Sequence, residues 1–177
     1  RQVQWIVGVE GALSLREPAR DYQFQLRLCD AVSREQSPGV FDACSLTFRA
    51  MQDVCHLAES TTPPGASCLY SIHKAPTHQD HRGDPTYWLH THGLERAGIP
   101  DLELFEVPHR LLAAGCELIE SVADLWIETN TPAPQTPFAI GRDLTVSWRP
   151  WQAVAAEIKP EAVGGWRYRN HDEGHAG

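Results

Sequence analysis

The sequence predicts an α+β fold, with a mixed or mainly antiparallel sheet of about six strands packed by two to three helices. Two observations predict it. Strand-like and amphipathic segments interleave without the regular β-α-β alternation of a doubly wound sheet. Breakers such as Ser37-Pro38-Gly39 and Thr61-Thr62-Pro63-Pro64-Gly65 separate the patterned runs instead of interrupting them. The length of 177 residues, 42% of them hydrophobic and 21% charged, fits a single domain over residues 1–177. A chain of that size can remove roughly 70% of its unfolded surface from water, enough for a core without a disulfide or metal staple.

The elements follow in order. Gln4 to Leu15 is short, apolar and β-branched, which suits a buried strand bent at Gly8 and Gly11. In Asp21 to Val32, Tyr22, Phe24, Leu26 and Leu28 alternate with Gln23, Gln25 and Arg27, the period of a sheet with one wet face. A helix is expected from about Ser45, its N-cap, with the stripe Phe48, Met51, Val54, Cys55 and Ala58. Ala66 to Lys74 reads as a strand, residues 78–85 as a polar turn, and Thr86 to His92 as a strand. Gly93 to Gly98 makes one helical turn closed by Gly98, and Leu102 to Val107 an edge or half-buried strand. From Pro108 to about Glu128 a helix carries the seam Leu112, Cys116, Ile119, Ala123 and Trp126. A Pro-rich connection over 129–137, a strand at Leu144 to Pro150 and a short helix begun by Pro150 complete the pattern, and the tail carries no periodicity.

Charge and composition exclude several partners. A net charge of −8 with no run of Lys or Arg argues against nucleic acid and against an anionic membrane surface. No stretch approaches the roughly 20 apolar residues of a membrane span, and the N-terminus lacks a signal-peptide layout. Five widely spaced cysteines without a C-x-x-C pair read as buried thiols of a reducing, cytoplasmic compartment. The Arg1 start and the polar end at Gly177 read as one piece of a longer protein.

The chemistry candidates are among the nine histidines. His90 and His92 stand two apart on a strand, so both side chains leave one face of a sheet, as two ligands of one metal require. Glu95 follows in the next turn, and His73 joins if its strand pairs alongside. Three nitrogens and one carboxylate suit a divalent metal such as zinc, or iron, with an open position for water. The same pair also fits a bland arrangement, one histidine capping backbone groups and the other stacking on Trp88 or Tyr87. His78, Asp80, His81 and Asp84 form a ligand-rich loop that solvation alone explains. His171, Asp172 and His175 sit in the tail, and His56 and His109 on helix surfaces. Nucleophile elbows, phosphate loops and dinucleotide fingerprints do not occur. The H-x-H spacing departs from metallo-β-lactamase-like hydrolases, which place an Asp-His pair where this chain has Gly93 and Leu94. It departs from the first cupin motif in the distance to Glu95.

The string Trp88-Leu89-His90-Thr91-His92-Gly93-Leu94, the element Gly98-Ile99-Pro100-Asp101-Leu102-Glu103, the upstream Ile72-His73 and the pair Pro63-Pro64 resemble a group of bacterial domains of unknown function. The likeness covers roughly residues 40–107. It implies a cytoplasmic bacterial α+β module, the N-terminal part of a longer protein, with no activity to transfer. Two functions are then expected. One is a non-enzymatic binding or interaction module, its acidic surface meeting a protein partner. The other is a metal-assisted hydrolase using His90 and His92, with Glu95 or His73 as third ligand.

Overall fold

Pro18 opens the first helix of the chain, and the stretch behind it that alternates like a strand is helical. In the computed structural model, which describes residues 6–33, 37–130, 137–140, 144–147, 149–154 and 156–158, α1 covers Pro18–Val32. The discriminating residue is Phe24. A sheet face would bury it with Tyr22 and Leu26, yet it stands 58% exposed, while Pro18, Tyr22 and Leu26 are buried at a spacing of four. Tyr22 and Leu26 satisfy both periods, so alternation misled; Pro at the first helical position and the straight-chain Gln, Leu and Arg residues favour the helix. The expected strand before it does not form over residues 6–14, where Ile6 and Val7 are 90% and 70% exposed and lack the cover an apolar strand needs.

A hairpin replaces the expected start of the second helix. β1 (Gly39–Asp42) and β2 (Thr47–Ala50) pair antiparallel, with Phe41 opposite Phe48. Ser45 is no N-cap: it is buried in the turn, where Asp42 Oδ1 accepts from the amides of Cys44 and Ser45 and Leu46 takes a left-handed φ of 52°. α2 therefore begins late, at Met51, and runs to Glu59. Its final carbonyls are taken by α1. Gln23 Nε2 donates to the carbonyls of Leu57 and Ser60, each at 2.9 Å, and Arg27 Nε to that of Ala58 at 2.8 Å. Tyr22, Leu26, Val54, Ala58 and Leu69 make the core between these helices.

β3 (Ser71–Gln79), β4 (Pro85–His92) and β5 (Glu103–Pro108) form a three-stranded sheet in that order. Asp80 shapes the connection between β3 and β4: its amide donates to the Asp84 carbonyl and its Oδ1 accepts from the amides of Arg82 and Asp84. A link of this length joins only antiparallel strands. β3 starts and ends later than the sequence pattern places it, and Ala66–Cys68 is a single 3-10 turn. β4 pairs antiparallel with β5, and a bulge between Tyr87 and Leu89 shifts the register where Glu106 adopts a φ of 56°. A second 3-10 turn, Leu94–Ala97, closes on Gly98 as expected, with φ 73°.

α3 (Leu112–Thr129) follows a 3-10 turn at His109–Leu111 and buries Ile119, Ala123 and Trp126 of the expected seam. At Gly115 the helix lies so close to the sheet that a Cβ would stand 3.0 Å from Leu89 and 3.2 Å from Val107. β6 (Phe138–Ile140) pairs antiparallel with β7 (Leu144–Val146), and α4 spans Trp151–Val154. The fold is α+β with antiparallel strands, but among the described residues the strands divide among three separate sheets. The chain groups into two compact units, one of residues 1–71, 91–101 and 120–131, the other of residues 72–90, 102–119 and 132–177. Among the described residues no helix is long and apolar enough to cross a membrane. The five cysteines are free thiols, and none is fully buried: Cys44 is exposed and the other four are half-buried.

Candidate metal centre on the β3–β4 hairpin

Alternation along β4 sends Trp88, His90 and His92 to one face and Leu89 and Thr91 to the other. The second set is buried: Leu89 packs toward Gly115, and Thr91 Oγ1 donates to Asp101 Oδ1 at 3.0 Å. The same carboxylate oxygen accepts the Leu94 amide at 3.2 Å, so Asp101 ties the end of β4 to the turn that follows. With Leu89 and Thr91 anchored, the two histidines between and beyond them have no choice of face.

The adjacent strand supplies the third imidazole. His73 on β3 lies beside His90, ring centroids 5.5 Å apart and planes tilted by 59°. One nitrogen from each of His73, His90 and His92 lies within 4.8 Å of the others, and all three residues are half-buried. Tetrahedral zinc with nitrogens at 2.0–2.1 Å holds them about 3.3 Å apart. Closing the cluster on an ion thus asks for movements of about an ångström, within reach of small χ adjustments. His90 also lies against Trp88, centroids 4.2 Å apart and planes tilted by 30°, and Trp88 stacks in turn on Phe105 at 6.0 Å and 12°. The ring plane of His90 is set by that aromatic column.

The remaining sequence candidates fall elsewhere. Glu95 is exposed and its Oε2 accepts the Gly93 amide at 3.2 Å, so the turn that brings it near in sequence occupies its carboxylate. It is not grouped with the three histidines. In the 80–84 loop, Asp80 and Asp84 face Arg110 at 3.4 and 2.8 Å, and His78 faces Glu106 at 3.8 Å. Solvation and ion pairing therefore account for that loop. His56 and His109 are exposed, as expected of surface positions. His171, Asp172 and His175 lie outside the described residues.

Gly93 ends β4 and has no substitute. Its φ is 107°, and a Cβ there would stand 2.6 Å from the Leu69 carbonyl oxygen. Gly93→Ala adds backbone strain to a clash with main chain, and the expected cost is about 2–4 kcal/mol in urea denaturation. A loss below about 0.5 kcal/mol would remove this account of why a glycine follows His92.

One residue escaped the sequence reading. Within the strand expected over Leu102 to Val107, nothing in the sequence singles out Glu103. In the sheet it lies directly opposite His90, and the two side chains share a face. Only the β4–β5 register, displaced by the bulge, reveals this.

A family model described as "Protein of unknown function (DUF4026) C-terminal" matches residues 72–177, more than half of the chain and the segment that carries all three histidines. The resemblance over residues 40–107 had implied the N-terminal part of longer proteins, whereas this description is of a C-terminal region. No curated protein and no solved structure matches.

Proposed function

Because the chain belongs to the DUF4026 C-terminal family, which carries no established activity, its function has to be read from its own residues, and we propose that it is a metal-binding domain. The observation that carries this reading is the convergence of His73, His90 and His92 on one hairpin face. Three neutral imidazoles, borderline in softness and without a thiolate or a carboxylate among them, suit zinc best among common divalent ions. Three protein ligands leave a fourth position for water or for a substrate oxygen, the arrangement that zinc hydrolases share. The reading takes up the second of the two expected functions, the metal-assisted one; hydrolysis at the open position is the activity that such a centre would support.

Protein purified without an affinity tag, equilibrated with micromolar zinc and freed of excess by gel filtration, is expected to retain about one zinc per chain by elemental analysis. Retention near zero under the same conditions would overturn the proposal.

A further inference from the structure

Alternation along the β1–β2 hairpin turns its charged residues inward and its large apolar residues to solvent, the reverse of what solvation asks of a surface ribbon. Asp42 and Arg49 are the only charged residues from Gly39 to Ala50, and both face the fold. Asp42 meets Arg96, while Arg49 donates through Nε to Tyr22 Oη at 3.1 Å and through Nη2 to the Cys68 carbonyl at 2.8 Å. Val40 packs against the core between the helices. The exposed residues of the hairpin are Phe41, Ala43, Cys44, Leu46, Phe48 and Ala50, five apolar side chains and one thiol. Phe41 and Phe48 lie directly opposite each other in the register, and each is 61% exposed. The Phe48 ring lies along the ribbon, its Cζ 2.7 Å from where a Cβ on Gly39 would stand. An apolar surface gathered in this way on one element is the mark of a contact face.

We infer that a second copy of the chain docks on this face. Each copy carries a net charge of −8, so two of them approach with least repulsion where neither presents a carboxylate, and the outer side of the hairpin is such a place. The same lack of charge leaves nothing there to select a charged partner. The face is also self-complementary, as a closed twofold interface requires. An axis lying in the contact plane, parallel to the strands and midway between them, sets Phe41 of each copy on Phe48 of the other, within reach of offset or edge-to-face ring contacts. Phe41, Phe48 and Leu46, 61%, 61% and 44% exposed, offer roughly 300 Å² of apolar surface. The smallest stable interfaces bury about 600 Å² per partner, so the dimer is weak and reversible, with a dissociation constant of about 10 µM to 1 mM.

Sedimentation equilibrium of the whole chain between about 10 µM and 2 mM tests this, with a reductant to exclude disulfides and a chelator to exclude bridging metal. The average mass is expected to rise with concentration from one chain toward two, on a single monomer–dimer constant. Phe41→Ser and Phe48→Ser are each expected to weaken association about tenfold or more, and either stands in for the other if one fails to fold. Phe24→Ser removes a ring as bare as these, 58% exposed but on α1, and is expected to leave the constant within about twofold. A mass of one chain throughout overturns the inference and leaves the hairpin face to a partner of another kind. Association that neither hairpin variant weakens, or that Phe24→Ser weakens as much as they do, overturns it as well.

Discussion

Arg96→Met lowers the stability of the fold by about 3–5 kcal/mol, because it strands a buried carboxylate. The side chains of Arg96 and Asp42 are only 8% and 9% exposed, and the guanidinium meets the carboxylate with two bonds, at 3.0 and 2.5 Å. Tyr22 Oη donates to the same carboxylate at 2.9 Å and accepts from Arg49 Nε at 3.1 Å, while Arg96 lies over the Tyr22 ring at 5.0 Å. One ion pair thus joins α1, the β1–β2 hairpin and the turn after β4. Burial alone would raise the Asp42 carboxyl; the hydrogen bonds and charge of Arg96, then Tyr22 and Ser45, outweigh it and bring the pKa down to about 2. A depressed carboxyl pKa contributes stability above the unfolded value near 4 and loses it as pH falls toward 2. That contribution is about 2 kcal/mol over that window. Urea denaturation between pH 7 and 2 checks both numbers. Asp42→Asn combined with Arg96→Met recovers part of the loss, since it removes the unpaired charge and keeps an acceptor for the Cys44 and Ser45 amides. A single-variant loss below about 1 kcal/mol would show that the pair is dispensable.

His90→Ala is expected to weaken zinc binding at least a hundredfold. Structural zinc sites contribute about 10–16 kcal/mol from four ligands, so one imidazole carries about 3 kcal/mol or more, and 1.4 kcal/mol is a tenfold change. His90 lies against both His73 and Trp88. Its removal leaves two of the three imidazoles, too few protein ligands to hold zinc at the same affinity. Glu95→Ala is expected to leave affinity unchanged, because that carboxylate serves the Gly93 amide. Chelator competition measures both variants, and a His90→Ala protein within threefold of the wild type would contradict the assignment.

What the sequence made legible follows from how local each signal is. β4, β5, the turn closed by Gly98 and α3 were readable, since each has an unbroken pattern bounded by Gly or Pro. α1 was misread because Tyr22 and Leu26 fit two periods at once, and the deciding exposure of Phe24 is a tertiary fact. The β1–β2 hairpin was missed because its turn is built by the Asp42 side chain and by Leu46 at positive φ, neither of which is a Gly-based turn signal. At the site, the i, i+2 spacing exposed His90 and His92, and the neighbouring strand made His73 conditional on pairing. Glu95 was included by nearness along the chain, and the 3-10 turn folds its carboxylate back on the backbone. Glu103 was invisible, because its place opposite His90 depends on a bulge that no local pattern announces.

Five free cysteines give zinc a second way to bind, so stoichiometry alone does not identify the ligands. X-ray absorption at the zinc edge of the loaded wild-type protein tests the central claim most directly. The three-histidine centre predicts imidazole nitrogen donors at about 2.0–2.1 Å, about three per zinc, with the remaining position taken by oxygen. A first shell of sulfur at about 2.3 Å, or one without imidazole scattering, would place the metal elsewhere and contradict it.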